Sequence, residues 1–284
     1  MKFFKIITLQ TKIMLLCIIL SIISCTRDEE VQVESVQKLS VANQISKLSE
    51  NYNVNPGKAA DVNWLKVAAA DAGAALTEAS GDDATIASIT MAGASASTKN
   101  YNDQNSSNSS SSNNSGGSNT IDPNETNPYD YVGYWHYASI DNVLVDPKRY
   151  LNGKDYDNER FYKATVEFLL KNDVASDSDY ESFILELANE KLAFNSEVFD
   201  KYGLSGGLTY LLEKGIVQES VYEVMMPYYN VFESVNSSKE FVEYSLQVEE
   251  LVVKSKLEEK EIILSTMATA RYGAQYWSSV FGDY

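Results

Sequence analysis

Two cysteines and a single histidine are all that this 284-residue chain offers to thiol or imidazole chemistry. Cys17 lies inside an N-terminal apolar run of the kind that is removed on secretion, so Cys25 is the one thiol expected in the processed chain. A disulfide framework, a Cys-ligated zinc site and a downstream cysteine nucleophile are thereby excluded, and His136 alone cannot make a His-rich metal site. Cations are scarce too: 23 Lys+Arg stand against 40 Asp+Glu, a formal charge of −17. Such a field repels phosphate backbones, and no Lys/Arg patch visible in the sequence reverses it, so nucleic acid is not an expected partner. The chain has no phosphate-binding loop and no alternating apolar pattern of useful strand length. No cofactor, metal site or catalytic set is therefore expected.

Long hydrophobic runs are missing as well. The longest uncharged apolar stretch, Ile13 to Ser24, follows Lys2, Lys5 and Lys12. At helical rise it reaches ~18 Å, short of the ~30 Å of a bilayer's hydrocarbon core, so it reads as a secretory signal over residues 1–24 and not as a permanent span. Its end, Ile22-Ile23-Ser24-Cys25, resembles the bacterial lipobox. That resemblance implies cleavage between Ser24 and Cys25 and attachment of acyl chains such as palmitate to Cys25, which makes the membrane the first expected partner. The following Thr26-Arg27-Asp28-Glu29-Glu30 resembles the surface-export signal of Bacteroidota lipoproteins, which implies the outer leaflet of the cell outer membrane.

Four segments follow the signal. Residues 25–60 read as a tether with a short helix, since Val36, Leu39, Ala42, Ile45 and Leu48 recur every three residues before Asn55-Pro56-Gly57 breaks the chain. Residues 61–98 read as an Ala-rich helical hairpin, capped by Asp61 and carrying small residues every four positions at Ala69, Gly73 and Thr77 and at Ala84, Ser88, Ala92 and Ala96. Glu78, Asp82 and Asp83 make bilayer insertion of this hairpin costly. Residues 99–126, almost pure Ser, Asn, Gly and Asp, read as a disordered linker.

Residues 127–284 hold every tyrosine but Tyr52 and Tyr101, and their punctuation is helical, so the expected fold class is all-α with six to eight helices in this domain. Asn127-Pro128-Tyr129-Asp130 opens a helix with Val132, His136, Ile140 and Val143 inward, and a second runs from Asn158 to Lys171. Ser178 with Glu181 and Ser237 with Glu240 form capping boxes, Gly203 and Gly215 end helices, Pro227 bends one, and a last long helix covers Leu257 to Ser279. The alternating acids Asp155, Asp157, Glu159 and Asp177, Asp179, Glu181 read as helix caps and not as calcium loops, which need a Gly at position six and a distal Glu.

The phrase Trp64-Leu65-Lys66-Val67-Ala68-Ala69-Ala70-Asp71-Ala72-Gly73 resembles a glycine-zipper-like segment of uncharacterised Bacteroidota surface lipoproteins. Asn127 to Gly133 with His136, and Ile263 to Trp277 around Ala270-Arg271-Tyr272, resemble the first and last helices of the same family. The family carries no established activity to transfer. The residues to watch are His136, the only imidazole, read as a core or interface histidine; Trp135, in an aromatic group with Tyr131, Tyr134 and Tyr137 suited to a helix rim, a sugar or a protein partner; and Arg271, expected to pair with an acid or stack on tyrosine. The expected function is a lipid-anchored, non-enzymatic interaction or envelope-structural role, with a polymer hydrolase and a membrane-active antibacterial protein as the alternatives.

Overall fold

A computed structural model describes residues 41–52, 63–81, 84–107, 123–145, 149, 151–152, 155–188, 191–235 and 237–282. Ser24 and Cys25, the Thr26 to Glu30 motif, the Asn55-Pro56-Gly57 break, Asp61 and most of the Ser/Asn segment lie outside them. Among the described residues the fold is all-α: α1 (residues 41–49), α2 (Asn63–Ala79), α3 (Ile86–Ser107), α4 (Asp130–Leu144), α5 (Asn158–Lys171), α6 (Asp177–Ala188), α7 (Lys191–Glu213), α8 (Glu219–Phe232), α9 (Ser238–Lys254) and α10 (Lys260–Phe281). The exception is a ladder of two residues a side before α5, Leu151–Asn152 antiparallel to Asp155–Tyr156.

Local chemistry sets the helix ends. Asp157 accepts from the Arg160 amide at 3.2 Å to start α5, and Ser237 accepts from the Glu240 amide at 3.2 Å to start α9. Helix α6 starts earlier than a Ser178–Glu181 box requires, because Ser176 and Asp179 form the cap instead: the Ser176 amide donates to Asp179 Oδ2 at 2.6 Å. Gly203, at φ 70°, interrupts α7, and the restarted half is capped from a distance by Glu233, which accepts from the Leu204 amide at 2.7 Å. Pro227 sits inside α8 without ending it.

Helix α2 is the axis of the body, packed against α3, α7 and α10. Between Trp64 and Ala79 only Lys66 is exposed, a pattern possible because small side chains let three neighbours approach at once. Ala70 and Ala74 nest against Ala92 and Ala96 of α3. The α3 stripe is therefore placed as its spacing predicts, whereas the α2 face toward α3 is turned one residue from the Ala69–Gly73–Thr77 row. Gly73 instead makes room for the Phe199 ring of α7. Helix α4 comes close to α10 at Gly133, where a Cβ would stand 2.5 Å from Tyr272 Cδ2 and 2.6 Å from the Ala268 carbonyl oxygen.

The hairpin is thus the centre of the helical body and not an appendage to it. The flanking segments are partly built in as well. Helix α1 buries Ile45, and its Ser49 hydroxyl lies 2.8 Å from Tyr244 Oη. Helix α3 continues through Ser107 into the Ser/Asn segment, and Asn124 at the other end of that segment is buried. Among the described residues no helix is long and apolar enough to cross a membrane.

The core is rich in phenols. Burial raises the pKa of Tyr228, Tyr229 and Tyr244 above the ordinary 10.0, with Glu249 adding to the effect at Tyr228. A group raised in the folded state contributes stability that is complete below its unfolded value and is lost as pH climbs toward its folded one. Stability against urea should therefore fall steeply above pH 10, with phenolate absorbance appearing together with loss of helix; full ionisation of these tyrosines in a still-helical chain would contradict their burial.

Candidate functional site

Two buried polar clusters tie α2, α4, α9 and α10 together. In the first, Asp71 of α2 and His136 of α4 are both 0% exposed, with His136 Nε2 3.2 Å from Asp71 Oδ2. The Trp277 indole donates to the same oxygen at 2.9 Å, and the Ser97 hydroxyl donates to Oδ1. A carboxylate can only accept, so Nε2 carries the imidazole proton in this contact. Among the described residues His136 Nδ1 has no hydrogen-bond partner, and Gly93 lies against it, where a Cβ would come within 2.8 Å.

In the second cluster Arg271 of α10 is 0% exposed. Its Nε donates to Glu249 Oε1 at 2.9 Å and its Nη2 to Asp130 Oδ1, while the guanidinium lies 4.8 Å from the Tyr272 ring centre. Burial would lower the Arg271 pKa, but the carboxylates of Glu249 and Asp130 outweigh it and hold the group above its ordinary value. Asn124 and Asn127 each donate from Nδ2 to Glu249 Oε2 at 2.8 Å, and Ser245 donates to Oε1 at 3.0 Å. Tyr272 and the Asn124 amide complete Asp130 at 2.8 Å and 3.1 Å. Burial first, and Asp130 second, raise the Tyr272 phenol. Every carboxylate oxygen of this cluster has a donor, as buried charge requires.

The outer face of α4 differs. Tyr131 and Tyr134 are 41% and 48% exposed, and Tyr134 stands edge-on to Trp135 at 5.1 Å. Trp135 in turn meets Phe168 of α5 at 6.2 Å, whereas Tyr137 turns inward onto Tyr276 at 5.3 Å. Beside this ridge, α5 and the end of α4 enclose an open cleft of about 500 Å³ lined in part by Asn142, Arg149, Arg160, Lys163, Phe168 and Lys171.

No protein-family model, curated protein or solved structure matches the chain. Its role must be read from its own chemistry. Among the described residues no three His, Cys, Asp or Glu side chains converge to hold a metal ion. His136 sits at the core of the helix packing, where a substrate cannot reach the imidazole without opening the body. Arg271 both pairs with acids and stacks on tyrosine, and Trp135 lies on the helix rim, as their sequence contexts suggest.

Asp71 and Glu249 give little sequence warning. The one signal for Asp71 is an acid set in the middle of an otherwise apolar run from Val67 to Leu76. The cationic lining of the cleft is a grouping that the sequence reading did not pick out. Arg160, Lys163, Glu167 and Lys171 fall near one α5 face at helical spacing, and Arg149 joins them from outside that helix.

Proposed function

We propose that the chain is a lipid-anchored envelope protein, held at the outer membrane through acyl chains on Cys25 and displayed at the cell surface, whose helical body acts through interaction or structure and not catalysis. The observation that carries the second half is His136: the one imidazole is spent inside the core, hydrogen-bonded to Asp71, with no exposed atom for acid–base work. Support for the first half is the order of basic residues, apolar run, Ile22-Ile23-Ser24-Cys25 and acidic tract. A hydrolase would have to work without histidine or cysteine. A membrane-active hairpin would have to expose α2, in which only Lys66 is exposed between Trp64 and Ala79.

Replacing Cys25 by Ala should move the protein from the membrane fraction to the soluble or secreted fraction, and protease added to intact cells should digest the native protein. Sedimentation of Cys25→Ala with membranes would remove the lipid anchor, and protection from protease would place the protein on the inner side.

A further inference from the structure

On a chain with so few cations, four of them converge on one cleft, and an exposed aromatic ridge leads into it. Arg149 and Lys171 form no ion pair among the described residues, whereas Arg160 meets Asp157 at 3.3 Å and Lys163 meets Glu159. Those pairs are solvent-exposed and therefore weak, so a ligand anion can displace either carboxylate. Counting Glu167 of the lining as well, the cleft keeps one positive charge in excess. That excess suits a ligand with one isolated anionic group, not a polyanion carried into the field of a −17 chain.

The other lining groups narrow the chemistry. Asn142 and Asn172 present amides that can both donate and accept, which is what hydroxyl groups need. Phe168 forms apolar wall, and through Trp135 and Tyr134 the wall continues out of the cleft as a ladder of rings. Trp135 and Asn142 are seven residues apart on one face of α4, two helical turns or about 10 Å. A single anion would use only the cations; a chain of rings bearing hydroxyls would use the amides and aromatics too.

We infer that this cleft and the Tyr134–Trp135–Phe168 ridge bind a short anionic saccharide, its carboxylate or phosphate held by Arg160, Lys163 and their neighbours and its sugar faces stacked on the ridge. This deepens the reading of the body as an interaction module and fails separately from it: a chain that stays in the membrane fraction but binds no saccharide loses the ligand and keeps the anchor.

Intrinsic fluorescence gives a clean assay, because Trp64 and Trp277 are fully buried and Trp135 is the tryptophan at the site. The full-length protein in detergent should show saturable quenching by an aldobiouronic acid, a disaccharide with a single carboxylate, weakening with salt. The Arg160→Gln/Lys163→Gln variant should bind about tenfold more weakly or worse, as expected for loss of a charge-assisted hydrogen bond. Lys254→Gln, on the exposed side of α9, should bind as the native chain does. A hexose phosphate that binds better than the uronate identifies phosphate as the anionic group. Equal binding of a neutral maltooligosaccharide would overturn the role of the cations. Tighter binding of single-stranded DNA, or no saturable quenching by any saccharide, would overturn the proposal.

Discussion

Arg271→Met should lower the melting temperature by roughly 6–20 °C, the equivalent of ~3–5 kcal/mol for breaking a buried ion pair in a chain of this size. Methionine fills much of the same volume, so the loss comes from the carboxylates left behind. Glu249, fully buried, would keep its donors from Asn124, Asn127 and Ser245 but lose its counter-charge. Asp130 is better placed, since its side chain is 12% exposed and keeps Tyr272 and the Asn124 amide as donors. Removing Glu249 as well should therefore recover stability: in thermal melts of Arg271→Met, Glu249→Gln and the double variant, the two losses should fall short of adding by ~0.5–3 kcal/mol. Strict additivity would mean that Arg271 and Glu249 are neighbours without being partners.

That network also explains why part of this protein could be read from its sequence and part could not. Asp157, Ser237, Gly203 and Gly215 announce helix ends because a cap or a left-handed residue acts within a few positions of itself. The apolar spacing on α4 and α10 marks which faces turn inward. Partners across the core leave no such mark. Asp71 and Trp277 are separated by 206 positions, and Asn124 and Glu249 by 125. The Ser/Asn composition around Asn124 argues for a solvated chain, yet the side chain is buried, its Nδ2 donating beside that of Asn127 to Glu249 Oε2. Local composition set the expectation there, and a distant charge decided the outcome. The Ala-rich hairpin shows the reverse. Its composition leaves open whether it stands alone or lies inside a domain; its lack of bulk is what allows α2 to have neighbours on several sides.

Asp71→Ala should be comparably disruptive, for a reason that separates structure from chemistry at the only histidine. Three donors converge on this carboxylate: His136 Nε2, Trp277 Nε1 and Ser97 Oγ. Each buried donor left unmet costs ~1–3 kcal/mol, so the loss should reach about 3 kcal/mol, with a fall in melting temperature of at least roughly 6 °C. Asp71→Asn should cost much less. The amide carbonyl can take the Oδ2 position and accept from His136 and Trp277, while the amide nitrogen takes the Oδ1 position. There the Ser97 hydroxyl can rotate and accept, since a hydroxyl serves either role. Ser97→Ala should cost ~1–3 kcal/mol in the native background, since it leaves the buried Asp71 Oδ1 without its donor, and should add a penalty on top of Asp71→Asn as well, because the amide nitrogen would lose its acceptor. Melting curves of the four proteins decide the matter. A large loss for Asp71→Asn equal to that of Asp71→Ala would mean that the negative charge itself is required beside His136, and the reading of this pair as a structural clasp between α2, α4 and α10 would have to be given up.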